Sequence, residues 1–319
     1  MKKPSNTAFY LSIGLLALFV LVMIFGTWLK PHGISPEDKI NMLQYQDIDG
    51  KTRYRIPPFA PNGTFLLGTD HRGFDILSLL LNGLKYTLGT ALALTLLRFA
   101  AALPWGLWSG MTGRMHKLLS SLQWATAAVP AFVFLYPPLA GMYFGLRLDQ
   151  VEKADPHNKL LFSVTFVILV TVIGVSPLAH QIADRTRYYS GKMFIEASRL
   201  MGGSFLHRTR RHIVPSMRNE MLFLFLSEFM QVLFLLGQLA VFHIVLGGTE
   251  TIGDDDAGYR ITLTTSGEWL SMIAYGSRYI RLHPWIILSA GACFAALFLS
   301  LQFFLSQLKR RYGEERQLM

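Results

Sequence analysis

Residues 193–215 read Met193-Phe194-Ile195-Glu196-Ala197-Ser198-Arg199-Leu200-Met201-Gly202-Gly203-Ser204-Phe205-Leu206-His207-Arg208-Thr209-Arg210-Arg211-His212-Ile213-Val214-Pro215. Met193 to Met201 contains good helix formers. Gly202-Gly203 stops that helix, because glycine tolerates the left-handed position just past a helix end. Ser204 can cap a second short helix through Arg211, its hydroxyl accepting a free backbone N–H of the first turn. Pro215 then precedes a long apolar run. The stretch therefore predicts two short helices folded back on each other, inside a basic interval from Asp184 to Arg218 and between two hydrophobic segments.

Those two segments belong to a set. Crossing the hydrocarbon core takes about 20 mostly apolar residues. Such runs occur at about Ala8 to Leu29, within Leu84 to Met111, and at Leu118 to Leu146, Leu160 to Ile182, Met221 to Leu246 and Pro284 to Leu308. Charged residues make up 16% of the chain, well below the roughly 25% of soluble domains. The fold class is an all-α polytopic membrane protein with about six transmembrane helices. The first run exceeds a signal-peptide core and ends at Trp28, an interface residue, so it reads as a retained helix. Pro130, Pro137 and Pro138 predict bends in the third run. Three regions follow: an N-terminal transmembrane helix (1–30), an extracytoplasmic segment (31–75) in which Pro57-Pro58 and Pro61 argue against regular helix, and a five-helix core (76–319) carrying the cytoplasmic loop 184–218.

The formal charge is +10. In a soluble protein that would suggest nucleic acid; here loop bases that set orientation account for it, and no nucleic-acid partner is expected. With the N-terminus in the cytoplasm, the inner segments hold sixteen Lys and Arg against five acids, while fourteen acids dilute the bases outside. Residues 185–218 and 309–316 are the most one-sided. Six spans with both termini in the cytoplasm is the consistent arrangement.

Glu196-Ala197-Ser198, Gly202 four residues on and His212-Ile213-Val214-Pro215 resemble the EAA loop of bacterial ABC importer permeases, with serine for alanine and valine for leucine. That family's loop forms a coupling helix docked in a groove of an ATPase subunit. The resemblance implies that role for Glu196, Ala197, Ser198, Gly202, Ser204 and Pro215. Leu67-Gly68-Thr69-Asp70-His71-Arg72-Gly73-Phe74-Asp75-Ile76-Leu77-Ser78 is similar to the signature before the second helix of oligopeptide/dipeptide/nickel permeases, specifically their C-type subunit, with Phe74 for the usual arginine. Gly83 and Lys85 continue it. Glu268-Trp269-Leu270 through His283-Pro284-Trp285 resembles the re-entrant stretch before that family's last helix. The glycine-rich pattern usual late in its fifth helix is poorly kept at Gln238 to Gly247. The resemblance implies a type I ABC importer permease fold in a bacterial inner membrane. It implies as partners a second homologous permease, two ATP-binding subunits and an extracytoplasmic substrate-binding protein. Peptides are the expected cargo, with nickel or a metal chelate as the alternative; a diverged, non-transporting scaffold or sensor is the rival of another class.

Arg98 and Glu228 fall inside apolar runs. Charges there are costly and face a partner or a water-filled cavity. They read as a structural ion pair, within the chain or across to a sister subunit, or as pathway residues. No catalytic residue, cofactor or metal ligand is expected. Gly50-Lys51-Thr52 lacks the upstream glycine of a phosphate-binding loop, since Tyr45 stands there. Cysteine and histidine lack zinc spacing, and no His-Glu-x-x-His occurs. His207 and His212 read as surface or partner-contact residues. Cys293, the single cysteine, cannot form an internal disulfide.

Overall fold

A computed structural model of the chain describes residues 6–40, 42–46, 52–146, 148, 155–242, 244–246, 249–252, 261–264 and 266–315. The acidic triplet at 254–256 and the Gly50-Lys51 pair lie outside them. Helix α1 spans Asn6–Leu29, α2 Ile76–Thr112, α3 His116–Ala128, α4 Ala131–Gly145 and α5 Pro156–Ser190. Short helices α6 (Met193–Leu200), α7 (Phe205–Arg208) and α8 (Val214–Ser216) precede α9 (Arg218–Val241), α10 (Trp269–Arg278) and α11 (Pro284–Glu315).

Among the described residues, five helices, α1, α2, α5, α9 and α11, are long and apolar enough to cross a membrane. Helices α3 and α4 are bent by 75° at a short break and pass the same test only as a pair, a geometry that fits a broken sixth span or a re-entrant loop. The bend sits at Pro130, and Val129 before it is extended, as the proline ring requires. Pro137 and Pro138 make no such break: they lie inside the continuous α4. Several helices outrun their apolar cores. Helix α5 continues to Ser190, so the first seven residues of the interval 184–218 extend a span instead of forming loop. Helix α11 likewise carries the charged tail to Glu315.

The chain is not wholly helical. Within residues 31–75, strands β1 (Leu43–Gln46) and β2 (Thr52–Arg55) pair antiparallel, Leu43 opposite Arg55. Strands β3 (Thr249–Ile252) and β4 (Ile261–Thr264) form a second hairpin before α10. Both hairpins lie between spans. Period-2 pairing was hard to read there because each strand has only four residues.

Helix α2 packs most extensively on α5 and also meets α1 and α9. One core cluster centres on Leu84, Val170, Val232, Leu239 and Ala290. A second, at the α6 end of the bundle, joins Ala102, Leu119, Leu178, Ile182, Ile195, Ile213 and Met217. Helix α1 packs on α2 and α11 but leaves most of its apolar surface uncovered by the chain. Thr27 ties its end to α2, donating to Asn82 Oδ1 at 3.1 Å and accepting from Lys85 Nζ at 2.8 Å.

Candidate coupling segment and membrane cavity

Helix α6 presents two faces. Ile195 and Ser198, three residues apart, are buried against the bundle. Met193, Glu196 and Leu200 share the opposite face and point outward, with Met193 87% and Leu200 84% exposed. Ala197 is exposed as well. The helix ends where the glycines stand: Gly202 takes φ 81, its N–H donates to Arg199 O, and Gly203 N–H donates to Ser198 O. Ser204 Oγ then accepts from His207 N–H at 3.2 Å and caps α7. The second helix runs past Arg211 as expected, but not as a regular α-helix. It gives way at Thr209–Ile213 to a π-helical turn and then to α8, which holds Pro215. Met201 (82%) and Leu206 (68%) extend the exposed apolar patch. His207 and His212 face each other with ring centroids 5.5 Å apart.

This segment is anchored to α5 and α2, and α5 is tied in turn to α9. Ile195, Ile213 and Met217 pack with Leu178, Ile182 and Tyr189 of α5 and Ala102 of α2. Thr209 Oγ1 lies 2.8 Å from Met111 Sδ. Tyr189 donates to Glu220 Oε1 of α9 at 3.0 Å.

Arg98 and Glu228 find each other. Arg98 Nη1 lies 2.5 Å from Glu228 Oε1, and its Nε and Nη2 donate to Val170 O of α5 at 3.0 and 2.6 Å. Both residues are 3% exposed. Gly174 makes room for the guanidinium: a Cβ built there would lie 2.3 Å from Arg98 Cζ. The pair forms part of the wall of a cavity of about 390 Å³ between α2, α3, α5 and α9. Gln123, Gln181, Gln231 and Gln238 also line it. These glutamines and Gly174 were not singled out from sequence. Each glutamine is a neutral amide within an apolar run, and that was the signal available.

At the opposite end, the Leu67–Ser78 motif closes a knot at the start of α2. Asp70 Oδ1 accepts the backbone N–H of Arg72 and Phe74, and Asp70 Oδ2 pairs with the Arg72 guanidinium at 2.8 Å. Arg72 Nη2 also donates to Thr264 O at 2.7 Å. Asp75 caps α2 by accepting Ser78 N–H at 3.0 Å. The knot packs on α10: His71 N–H donates to Tyr275 Oη at 3.2 Å, and the His71 ring nitrogen shares a second hydrogen bond with that hydroxyl. Burial, with His283 alongside, holds the His71 imidazole down to about 4. Glu268, at the start of α10, is 6% exposed. Burial pushes its carboxyl up to about 7, opposed by the hydroxyl of Ser271 at 2.8 Å.

Residues 102–314 match the family model described as binding-protein-dependent transport system inner membrane component. Among curated proteins, the chain is similar to the Peptide transport system permease protein SapC of Escherichia coli, 26% identical over 277 residues. That alignment covers 85% of this chain and 78% of that protein. The Salmonella typhimurium protein of the same name is 25% identical over 294 residues, 91% of this chain and 82% of its own length.

Proposed function

Because the chain belongs to the family of binding-protein-dependent transport system inner membrane components, with a polytopic helical permease fold, we propose that it is the permease subunit of an ATP-driven peptide importer. It forms half of the translocation pathway, and a separate subunit hydrolyses the ATP. Its partners in this reading are a second permease, two ATP-binding subunits and an external binding protein. In this reading both termini and α6–α8 lie in the cytoplasm, on the side where Lys and Arg outnumber acids.

The observation that carries this reading is the outward face of α6. An amphipathic helix that buries Ile195 and exposes Met193, Glu196 and Leu200 suits a hydrophobic groove on a partner. Such an apolar patch beside charge marks an interaction surface. Gly202 fixes where α6 ends, Ser204 starts α7, and Ala197 and Ser198 occupy the middle of α6. Pro215 leads into α9 through α8. When the ATPase pair closes, the docked segments move together, and the spans anchored to them shift between inward- and outward-facing populations. The amide-lined cavity supports a peptide cargo. Glutamine side chains both donate and accept, and so match a peptide backbone irrespective of its sequence.

Co-purification with the cognate ATPase and transport-coupled ATP hydrolysis in liposomes test the reading together. Glu196→Lys should weaken association and coupling. Normal assembly and normal coupled hydrolysis in that variant and in Gly202→Val would sink the coupling assignment and leave the scaffold reading standing.

A further inference from the structure

At the α6 end of the bundle, the first residue of α3 meets the last third of α5. His116 opens α3 directly after Met115, whose φ is 59. His180 and Asp184 stand one turn apart on α5 and so share a face. One potential ligand atom from each of the three lies within 4.8 Å of the other two. The imidazoles of His116 and His180 are 5.3 Å apart between centroids, and His180 Nε2 is 3.4 Å from Asp184 Oδ2. His180 Nδ1 is buried with no hydrogen-bond partner among the described residues. None of the three lines the cavity that holds Arg98.

We propose that His116, His180 and Asp184 bind one divalent transition-metal ion of the zinc, cobalt or nickel type. Bonds of about 2.0–2.2 Å place the ligands of a tetrahedral ion roughly 3.4 Å apart. His180 and Asp184 already stand at that separation. The His116 ligand atom lies within 4.8 Å of both, so binding requires it to close in on them. Two imidazoles and one carboxylate suit these borderline ions, whereas magnesium and calcium want an all-oxygen shell. Three protein ligands leave a fourth position for water.

The ligands come from both sides of one packing interface. An occupied site therefore staples α3, the first half of the bent pair, to the helix that carries the coupling segment. The ion is a fixture of the permease and not its cargo. Sequence spacing could not reveal the set, because His116 lies two helices before its partners.

The full-length chain, purified in detergent and stripped of metal, is titrated with Co²⁺ alone. Calorimetry and visible absorption report the binding. One Co²⁺ per chain with the strong d–d bands of a tetrahedral site is expected. His116→Gln, His180→Gln and Asp184→Asn should each abolish those bands and weaken binding by at least ~10-fold, the lower end of what outer-shell changes alone cost. His207→Gln/His212→Gln should bind as the parent does. Asp184 is 54% exposed, so Asp184→Asn keeps the test valid if a histidine variant fails to fold. Absence of saturable binding, unchanged binding in Asp184→Asn, or loss of binding in the His207/His212 variant overturns the site.

Discussion

Arg98 and Glu228, 130 positions apart in sequence, meet at 2.5 Å inside the membrane-spanning bundle. Removing one member of a buried pair leaves an uncompensated charge and costs about 3–5 kcal/mol, whereas an apolar replacement of both costs far less. Arg98→Met and Glu228→Met should therefore each lower the thermal unfolding midpoint in detergent sharply. The double variant should recover much of the loss. Strictly additive destabilisation in the double-mutant cycle would show that the two charges are not coupled.

Gly174→Ala probes the same pair from α5. The added methyl would sit 2.3 Å from Arg98 Cζ, so the guanidinium must leave Val170 O or Glu228. Overpacking of this kind costs about 1–3 kcal/mol. Combining Gly174→Ala with Arg98→Met should cost less than the sum of the two changes. Unfolding midpoints of the three variants decide the matter, and a Gly174→Ala protein as stable as its parent would contradict the close approach.

At Gly202 the constraint is backbone conformation alone, because nothing lies within 4 Å of a built Cβ and φ is 81. Asparagine tolerates the left-handed region, whereas a β-branched side chain meets a penalty of about 1–2 kcal/mol. Gly202→Asn should retain ATPase co-purification, and Gly202→Val should lose much of it. Equal behaviour of the two variants would remove the conformational explanation.

Glu268 gives the stability a pH dependence of known sign. Its carboxyl is pushed from its ordinary 4.5 up to about 7, so the folded state holds the proton more tightly than the unfolded one. The stabilisation is fully present below pH 4.5 and is lost as pH rises through about 7. A shift of this size corresponds to about 3 kcal/mol. Glu268→Gln should flatten the pH profile of unfolding over that window. A profile unchanged by the substitution would mean that other groups set it.

The membrane class, the span order and the glycine break after α6 were legible because each rests on local chemistry. Run length reports the bilayer, Gly202 reports a left-handed φ, and Ser204 reports a cap. The partnership of Arg98 with Glu228 followed only as one option, since the cost of a buried charge demands a partner without naming it. Neither Gly174 nor the cavity amides could be assigned, because their meaning depends on which faces of α2, α3, α5 and α9 turn toward one another. The run-on of α5 to Ser190 was missed for a different reason: Asp184, Arg185 and Arg187 look like loop by polarity, yet nothing in 183–190 breaks a helix.

Helix α5 runs continuously for 35 residues, about 50 Å, with Pro177 inside it. Val170 and Gly174 hold Arg98 on one part of it, and Ile182 and Tyr189 seat α6–α8 on another. Two sites that bias the conformation of one helix obey reciprocity. If a partner pressed on α6 changes the shape of the cavity, then a molecule lodged in the cavity changes that partner's affinity for α6 by the same factor. Under the proposed function the exchange would run in both directions through one helix: arrival of cargo in the cavity would be felt at α6 by the same route along which a partner at α6 acts on the cavity.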